Sequence, residues 1–340
     1  MRRDVSDAKA LAAAALQRAG VDAEHADTQA THLIDAELRG HPSHGLLRLP
    51  RIIARIRNGV SAPNETGTHT WVADALLQVD GQDGLGPVVG YRALDTLEQR
   101  VARTGIAAAV ISRTNHLGML AQYAERSAQH GWVAIALTTS EALVHPWGGR
   151  RALIGTNPVA AAVPALPKPF VLDMATGLIS MGKVHAYAAA GRPLEPGWAV
   201  DAAGEPTTDA AAASTGAIAP FGGPKGYALG LAFELIVASL TDTALGTDVA
   251  GTLDDDRFAT KGDVFILATP QPGTTERVSA YLDLLRAEKP QPGMPPVTIP
   301  GDRARSSHAT RLADGIDVDD GLWEQLTHLA ALPLTKGQSS

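Results

Sequence analysis

The sequence predicts an α/β protein in which a mixed sheet is covered by a helical layer built from both ends of the chain. Three observations predict it: the first sixty residues follow helical spacing, short β-rich runs alternate with helices after Pro63, and the tail is helical again. Such alternation is typical of layered sheets with at least partly parallel strands. We therefore predict a helical domain from residues 1–65 with 270–340, and an α/β domain from residues 66–269.

The amino-terminal helices are predicted from the signals at their ends. Ser6 and Asp22 are residue types that cap helices, and Gly20 and Gly40 stand where the first two helices are expected to end. A third helix carries leucines and isoleucines at helical spacing after residue 45. Pro50 lies within it and predicts either a kink or a late start.

The rest of the chain alternates between the two kinds of pattern. Short apolar runs between turn residues predict strands, and 3.6-residue spacing predicts helices. The predicted strands cover residues 76–79, 106–111, 132–137, 159–163, 170–172 and 264–268. The predicted helices cover residues 91–103, 120–129, 227–240, 275–287, 304–312 and 321–332. Residues 193–215, rich in Gly, Pro, Asp and Ala, are predicted to be a loop.

Composition excludes several classes of protein. The chain has 340 residues, 45% of them hydrophobic, no cysteine and a net charge of −7. Its apolar content excludes disorder, and the lack of cysteine excludes disulfides, thiolate nucleophiles and cysteine-bound metals. The negative charge makes nucleic acid an unexpected partner. The most apolar stretch, residues 226–240, contains Glu234 and is shorter than the roughly 20 residues that cross a bilayer. We expect a cytoplasmic protein without a membrane partner.

A glycine cluster at residues 81–86 follows a predicted strand and precedes a predicted helix. Its spacing is GxxGxG, whereas the dinucleotide-binding fingerprint is GxGxxG with an acidic residue roughly 20 residues later. The patterns GxxxxGK[ST] and GxSxG do not occur in the sequence. We therefore interpret the cluster as a strand-to-helix turn and predict neither a Rossmann fold nor a serine hydrolase.

The densest polar cluster near the amino terminus is His41-Pro42-Ser43-His44-Gly45, with Arg48 four residues after His44. If a helix starts near His44, then His44 and Arg48 face the same way. A histidine exchanges protons near neutral pH, an arginine grips a carboxylate at two points, and Ser43 can orient the imidazole. The cluster suits a small acid with a carbonyl or hydroxyl beside its carboxylate. The alternative is a capping loop with a solvated arginine.

Asn115 and His116 come where the predicted strand 106–111 ends, and polar groups at such ends commonly point into a cleft. His116 is accordingly either a capping residue or a group that takes part in the chemistry. A metal-dependent hydrolase or lyase of a small acid is an alternative, because four histidines could be metal ligands: His41, His44, His116 and His145. No HExxH pattern supports it, and we predict no metal site.

Scarce lysines and a strand-end acid mark further candidates. Lys183 is embedded among small and apolar residues, and Lys225 begins the longest apolar helix after a glycine-rich loop. A helix start with a lysine suits a phosphate. Asp173 could accept hydrogen bonds from hydroxyls or an amide, and the run 301–303 could hold a phosphate or a ribose. The alternatives are a solvated lysine, a turn cap and an N-capped basic helix.

Taken in order, these pieces resemble the malate/L-lactate dehydrogenase family, which also holds ureidoglycolate and sulfolactate dehydrogenases, diketogulonate reductase and reductases of cyclic imine carboxylates. The resemblance covers most of the chain, and its motifs in order are far more specific than any single one. The motifs are Ser43-His44-Gly45 with Arg48, Asn115-His116-Leu117-Gly118, Gly155-Thr156-Asn157-Pro158, Asp173-Met174-Ala175-Thr176, Gly182-Lys183-Val184, Gly223-Pro224-Lys225-Gly226-Tyr227 and Pro300-Gly301-Asp302-Arg303.

The resemblance implies a non-Rossmann mixed sheet that binds NAD or NADP, in agreement with the missing fingerprint. It also implies a homodimer whose helical domain serves dimerisation, with the cofactor close to the subunit interface. The implied reaction is hydride transfer between the nicotinamide and C2 of a small 2-oxo or 2-hydroxy acid, which is the expected small-molecule partner.

The resemblance also implies roles for individual residues. His44 is the implied proton donor or acceptor and His116 a second one. The residues implied in catalysis are His44, His116, Ser43 and Lys183, and those that contact substrate are Arg48, Asn115 and Thr156. The implied cofactor contacts are Ser140, Asp173, Met174, Ala175, Thr176, Lys225, Gly226, Gly301, Asp302 and Arg303.

Three positions qualify the resemblance. Leu117 stands where the family usually has Phe, and Gly177 where many members have Ser. Lys183 resembles the hydroxyacid members, whereas imine-reducing relatives tend to have an acid there. An NADPH-dependent reductase of a cyclic imine carboxylate is therefore the second prediction. The choice between NAD and NADP, the identity of the acid and the division of labour between His44 and His116 stay open.

Overall fold

The structure, a computed structural model, describes residues 1–333 as a mixed α/β protein. Its strands are β1 (Arg2–Arg3), β2 (Thr68–Ala73), β3 (Leu76–Gly84), β4 (Ile106–Thr114), β5 (Val133–Thr138), β6 (Ala142–Val144), β7 (Ile154–Gly155), β8 (Val159–Val163), β9 (Phe170–Met174), β10 (Ala199–Val200), β11 (Pro206–Thr207), β12 (Ala217–Ile218), β13 (Asp263–Ala268) and β14 (Ile316–Asp317). Its α-helices are α1 (Val5–Arg18), α2 (Ala23–Leu38), α3 (Leu49–Arg57), α4 (Gly86–Thr104), α5 (Leu120–Gln129), α6 (Met181–Ala189), α7 (Ala210–Ala213), α8 (Pro224–Thr241), α9 (Thr274–Arg286), α10 (Asp302–Asp314) and α11 (Asp320–Ala331).

A seven-stranded sheet in the order β2-β3-β4-β13-β5-β8-β9 forms the centre. Strands β3 and β4 run parallel, and the other neighbouring pairs in this sheet run antiparallel. The predicted mixed sheet with partly parallel pairing is therefore confirmed. A smaller sheet, β11-β10-β12-β6-β7, lies beside α6 and α7, and their apolar side chains share one core.

Helices cover both faces of the large sheet because the strands alternate two sets of apolar side chains. Ala109 and Ile111 of β4 pack with α4 and α5 on one face. Val110 of the same strand packs with Val237 of α8 on the opposite face. Side chains of successive strand residues point to opposite faces, so one strand contributes to both layers.

The helical layer contains segments from both ends of the described chain, as predicted. Helices α1, α2, α3 and α11 share one apolar core. Strands β1 and β14 pair antiparallel, and the Arg3 guanidinium lies 4.6 Å from the centroid of the Trp323 ring. Helix α9 packs elsewhere, with Leu282 against Ala165 in the β8–β9 connection. The predicted division into two domains stays a prediction.

Most predicted elements are confirmed, and three local predictions are wrong. Asp4, not Ser6, caps α1, because its carboxylate accepts from the backbone N–H groups of Ser6 and Asp7. The stretch 193–215 contains β10, β11 and α7 in place of a continuous loop. The expected helix through His44 and Arg48 is instead two 3₁₀ turns, Pro42–His44 and Leu46–Arg48.

The position of Pro50 explains the late start of α3. It occupies the first turn of the helix, where its missing N–H has no intrahelical acceptor to lose. The other possibility, a kink within a longer helix, is not observed. Among residues 1–333, no helix combines the length and the apolar character needed to cross a bilayer.

The parallel pair β3 and β4 decides where the polar loops meet. Parallel strands end at the same edge of a sheet, so the turn after β3 lies against the loop after β4. At Gly86 a Cβ atom would lie 2.1 Å from the carbonyl oxygen of His116 and 2.8 Å from that of Asn115. Only glycine fits this approach, so the glycine cluster is a packing turn between two loops.

Candidate active site

Two predicted histidines are brought together at this edge of the sheet. His44 ends the first 3₁₀ turn and His116 lies in the loop after β4. Their ring centroids are 5.5 Å apart, and the Ser43 hydroxyl oxygen lies 3.0 Å from His44 Nδ1. Three of the predicted catalytic residues therefore form one group.

Arg48 joins this group although the predicted helical spacing is wrong. Gly45, with φ −98° and ψ −141°, interrupts the helical path between His44 and Arg48. The Arg48 guanidinium is instead held by two carbonyls: its Nε donates to Ser43 O at 2.9 Å, and its Nη1 donates to Thr252 O at 3.0 Å. These bonds leave Nη2 available for another acceptor.

A small pocket has His116 among its lining residues. Three arginines line it, Arg48 from the second 3₁₀ turn and Arg51 and Arg55 from α3, together with Asn115. The Arg51 side chain makes no hydrogen bond or ion pair to other residues in the described part of the chain, 1–333. The pocket therefore presents positive charge that this part of the chain only partly neutralises.

This positive, desolvated environment keeps both imidazoles neutral. Burial first, and then the charges of Arg48 and His41, lower the pKa of His44 to about 3. Burial first, and then the charge of Arg48, lower the pKa of His116 well below its usual range. Burial also lowers the pKa of Arg48 to about 10. An anion is the ligand that such a pocket suits.

The two imidazoles differ in their hydrogen-bond partners. The backbone N–H of Gly118 donates to His116 Nδ1 at 3.0 Å, so in the neutral ring the proton must sit on Nε2. His44 Nδ1 contacts the Ser43 hydroxyl, which can either donate or accept. His116 is therefore restricted to donating through Nε2, whereas His44 can adopt either tautomer.

A second group of predicted residues, Ser140, Thr156 and Thr176, forms one hydrogen-bonded cluster. The Ser140 hydroxyl accepts from the Thr156 N–H at 2.9 Å and lies 3.1 Å from the Thr156 hydroxyl. The Thr176 N–H and hydroxyl both donate to Thr156 O, at 2.7 and 2.9 Å. Glu141, next to Ser140, accepts from the N–H of Thr252, whose carbonyl binds Arg48. The cluster is thus connected to the histidine pocket.

The segment around Lys225 lies against this cluster. Thr176 O accepts from the N–H of Phe221 at 3.0 Å. Lys225 is exposed in the first turn of α8. Gly226 is buried, and a Cβ there would lie 1.8 Å from Phe221 O. Lys225 can therefore reach a ligand, whereas Gly226 serves close packing.

Asp173 belongs to the end of strand β9, and its carboxyl group contacts the first turn of helix α5. Its Oδ2 accepts from the Ala121 N–H at 2.8 Å, and Oδ1 has no hydrogen-bond partner within residues 1–333. Burial raises the pKa of Asp173 to about 6. The neighbouring Met174 is half-buried against the sheet core, and Ala175 is exposed. Asp173 therefore keeps one carboxyl oxygen for a ligand.

The predicted contacts at the start of α10 divide into two kinds. The Asp302 carboxylate accepts from Arg286 and Arg305 side chains and from the Ile299 N–H, which occupies both oxygens. These bonds hold the pKa of Asp302 well below its usual range. Gly301 has φ +95°, and Arg303 is exposed. Burial first, and then the charge of Arg303, lower the pKa of His41. Asp302 shapes the turn, and Arg303 is the group left to contact a ligand.

Lys183 lies outside the pocket beside His116. It is exposed on α6, with its Nζ 4.6 Å from the centroid of the Trp198 ring and 5.6 Å from that of Tyr187. His145 is also apart, with Nδ1 2.9 Å from Pro146 O. In the described range 1–333, no three His, Cys, Asp or Glu side chains are grouped to hold a metal ion.

Comparison with known proteins decides the family. The family model described as malate/L-lactate dehydrogenase matches residues 4–327. The chain belongs to the malate/L-lactate dehydrogenase family. It is therefore an enzyme of an oxidoreductase family, and the resemblance found in its motifs is confirmed.

Relatives in this family carry several substrate names. The chain is 34% identical to L-sulfolactate dehydrogenase of Methanocaldococcus jannaschii, over 92% of each chain. It is 33% identical to (2R)-3-sulfolactate dehydrogenase (NADP(+)) of Chromohalobacter salexigens, over 94% of this chain and 95% of the relative. It is also 33% identical to a Δ1-pyrroline-2-carboxylate/Δ1-piperideine-2-carboxylate reductase of Pseudomonas aeruginosa, over 97% and 99%. The family therefore includes hydroxyacid dehydrogenases and an imine carboxylate reductase.

A solved structure agrees with the fold. A dehydrogenase from Sinorhizobium meliloti is 49% identical, with a TM-score of 0.94 over 97% of this chain and 98% of that one. The non-Rossmann mixed sheet of this malate/L-lactate dehydrogenase family member is thus shared with a solved family structure.

Arg51 and Arg55 were not predicted as site residues from the sequence, because arginines on an amphipathic helix are ordinarily solvated. Arg55 is 4% exposed. Its Nε donates to Asn115 Oδ1 at 2.8 Å, and its Nη1 donates to Asp254 O at 3.1 Å. The Asn115 amide nitrogen donates to Ser61 Oγ and to the carbonyls of residues 83 and 84. Asn115 is therefore engaged inside the protein and orients Arg55.

Replacement of Arg55 by Met should lower the free energy of unfolding by about 2–4 kcal/mol, because it leaves Asp254 and Asn115 without their buried partner. Denaturant unfolding measures this loss. Arg57→Met is the matched control, since Arg57 is an exposed arginine on the same helix and should change stability by less than about 0.5 kcal/mol. Equal stability of the two variants would contradict the structural role of Arg55.

Proposed function

We propose that the protein is an NAD(P)-dependent dehydrogenase or reductase that interconverts a small 2-oxo acid and its 2-hydroxy acid. One observation carries the proposal: the imidazoles of His44 and His116 are 5.5 Å apart, and His116 lines a pocket together with Arg48, Arg51 and Arg55. Proton exchange next to a bound carboxylate is what this reaction requires of a protein. Malate, lactate and sulfolactate dehydrogenases in the family have names that agree with it.

The chain's donors and acceptors fit a nicotinamide dinucleotide. Asp173 Oδ1 is free to accept from an amide or a ribose hydroxyl, and Lys225 at the start of α8 suits a phosphate. Ser140 and Thr176 belong to one hydrogen-bonded cluster with Thr156. When bound, the nicotinamide supplies or accepts the hydride at its C4 atom. The relative named with NADP(+) supports this cofactor class without deciding between NAD and NADP.

In the proposed mechanism, each residue at the histidine pocket has a separate task. Arg48 binds the substrate carboxylate through the guanidinium nitrogen that the protein leaves free. His116 donates a hydrogen bond from Nε2 to the substrate oxygen at C2. His44 takes the proton from the hydroxyl at Nε2 during oxidation and returns it during reduction, while its Nδ1–H donates to the Ser43 hydroxyl in both states. A bound carboxylate favours the charged form of His44, which offsets its lowered pKa.

Arg51 favours substrate acids that carry a second negatively charged group. Its guanidinium lines the same pocket and has no acid partner among residues 1–333. Arg55, by contrast, is paired with Asp254. A second carboxylate or a sulfonate would neutralise the charge of Arg51, whereas a methyl group would leave it unpaired. We therefore propose that a dianionic acid is preferred to a monoanionic one.

A reductase of a cyclic imine carboxylate is the second candidate, favoured by the reductase relative at 33% identity. Such a substrate has one carboxylate and also needs a proton at its ring nitrogen. It would leave Arg51 without a partner, so we rank it below a dianionic 2-oxo acid. A metal-dependent hydrolase has no ligand group in residues 1–333 to support it.

The proposal is tested by following the absorbance of NADH or NADPH after addition of each candidate substrate. The candidates are oxaloacetate, sulfopyruvate, pyruvate and a cyclic imine carboxylate. We expect oxidation of the cofactor with the 2-oxo acids, and the lowest KM with the two dianions. Arg51→Gln should raise KM for the dianions roughly 10- to 100-fold, the loss of a charged hydrogen bond, and leave KM for pyruvate unchanged. Arg57→Gln is the control. No turnover with any 2-oxo acid would contradict the proposal, and equal KM values would contradict only the preference for dianions.

The pH dependence of oxidation should reflect the lowered pKa of His44. A general base has to be neutral, and His44 with a pKa of about 3 stays neutral as the pH falls through 6.5. We expect kcat/KM for the 2-hydroxy acid to keep its plateau down to about pH 5. His44→Gln should lower kcat about 10²- to 10⁴-fold and keep cofactor binding, measured by fluorescence. The exposed His328→Gln is the control, and an acid limb near pH 6.5 would count against this role.

We also propose a homodimer formed through α8, which lies in the predicted α/β domain (residues 66–269) and not in the helical domain for which the resemblance implies dimerisation. This helix has an exposed apolar face that includes Leu229, Leu235, Ile236 and Leu240. Between Lys225 and the end of the helix, its charged residue is Glu234, which is 2% exposed. An apolar face of this length is typical of an interface with another subunit. The family resemblance implies that the second copy is the partner, with the cofactor near the interface, where Lys225 begins α8.

Light scattering of the purified protein should give about twice the monomer mass of 35.3 kDa. Leu235→Glu on the α8 face should shift the mass to that of a monomer, because it buries a charge in the interface. Leu284→Glu is the matched control, since Leu284 is 66% exposed on α9, away from this face. A monomeric wild-type protein would rule out the dimer.

A further inference from the structure

Two buried side chains contact the residues that follow His116, and the proposed mechanism uses neither of them. His32 lies on α2 and is 1% exposed, and Tyr123 lies on α5 and is 0% exposed. They approach the same loop, residues 117–119, from different helices. Three separate contacts hold this loop.

The Tyr123 hydroxyl makes the first contact. It donates to the carbonyl of Leu117 at 2.6 Å. Its ring is packed between Tyr91 and Phe265, with centroids 4.8 and 5.3 Å away. Burial raises the pKa of Tyr123 well above its usual value, so the hydroxyl keeps the proton that it donates. The carbonyl next to His116 is therefore fixed from within the core.

His32 makes the second contact. The N–H of Met119 donates to His32 Nε2 at 3.2 Å, so the proton of the neutral ring sits on Nδ1. Nδ1 then donates to the Tyr91 hydroxyl at 3.1 Å, and Gln122 Nε2 donates to His32 O at 2.9 Å. Burial lowers the pKa of His32 to about 3, which keeps Nε2 available as an acceptor.

The third contact is between the backbone of Gly118 and the His32 ring, and it is possible because glycine has no side chain. Its φ is +77°, and a Cβ atom there would lie 2.3 Å from His32 Nε2. The backbone at Gly118 therefore lies directly against the His32 ring. In this position the Gly118 N–H donates to His116 Nδ1 at 3.0 Å. The hydrogen bond from Gly118 that selects the His116 tautomer thus depends on residues 117–119, which Tyr123 holds at Leu117 and His32 holds at Met119.

We propose that His32 and Tyr123 are positioning residues that hold residues 117–119 so that His116 is kept as an Nε2–H donor toward the substrate oxygen. The inference rests on the proposed function for the role of that donor, but the tautomer itself is a property of the protein alone. Neither residue touches the reacting groups, and both act through the His116 loop.

Loss of either contact should misplace His116 without unfolding the protein. An unpaired buried carbonyl or N–H moves to find a new partner, and it carries the Gly118 N–H away from His116 Nδ1. A displacement of about 1 Å at a reacting group can cost on the order of 10²-fold in rate. We therefore expect kcat to fall about 10- to 100-fold in Tyr123→Phe and His32→Leu, with KM for acid and cofactor changed less than twofold.

Two further variants separate positioning from stability. His32→Gln offers an amide oxygen near the place of Nε2, so it should recover most of the kcat lost in His32→Leu. Leu97→Val removes one methylene group from the same core, where Leu97 is 0% exposed and makes no polar contact with the loop. Its melting temperature should fall at least as far as that of Tyr123→Phe, with kcat unchanged.

Nitrogen-15 chemical shifts of the labelled, unliganded protein test the tautomer without any substrate, with His116→Asn used to assign the signal. In the wild type and Leu97→Val we expect the Nε2–H form of His116, and in Tyr123→Phe and His32→Leu a mixture of tautomers. The proposal is overturned if those two variants keep the Nε2–H signal, or if kcat in all variants simply follows melting temperature. If no substrate is turned over, the proposed function fails while the nitrogen shifts still decide the role of His32 and Tyr123.

Discussion

The contact between Gly86 and the carbonyl of His116 is the constraint on which the rest of the site depends. It exists because β3 and β4 are parallel, so that the turn after one strand must pass the loop after the other. The same contact brings Asn115 close to the carbonyls at the end of β3, which hold its amide nitrogen. Asn115 in turn orients Arg55. One backbone approach therefore links the sheet to the cationic pocket.

The electrostatics of the pocket follow from which cations have partners. Arg55 is paired with Asp254, whereas Arg48 is held by two neutral carbonyls and Arg51 by no acid within residues 1–333. Uncompensated positive charge and burial both disfavour a charged imidazole, which is why the pKa values of His44 and His116 are lowered together. A bound anion would have the opposite effect and raise the pKa values of both histidines. Substrate binding and proton exchange are thereby coupled through charge.

Sequence patterns predicted the sheet and the helical layer because these depend on periodic burial. They marked His116 because strand ends are recognisable, and His44 because it lies in a dense polar cluster with Arg48. These patterns gave wrong predictions where the conformation or capping of a single residue determines the local structure. Gly45 breaks the helix expected through His44 and Arg48, and Asp4 competes successfully with Ser6 for the cap. The strands within 193–215 are two residues long and leave no periodic signal. Arg55 is buried only because Asp254 and Asn115 reach it from distant parts of the chain.

The difference between the two histidines shows how a protein can give one side chain two functions. A hydroxyl beside His44 can donate or accept, so the ring can gain and lose a proton at Nε2. A backbone N–H beside His116 can only donate, so that ring keeps its Nε2 proton, and a proton added at Nδ1 would break the bond to Gly118. Burial lowers the pKa of both rings and does not distinguish them. The partner of Nδ1 therefore decides which histidine exchanges protons and which one only donates a hydrogen bond.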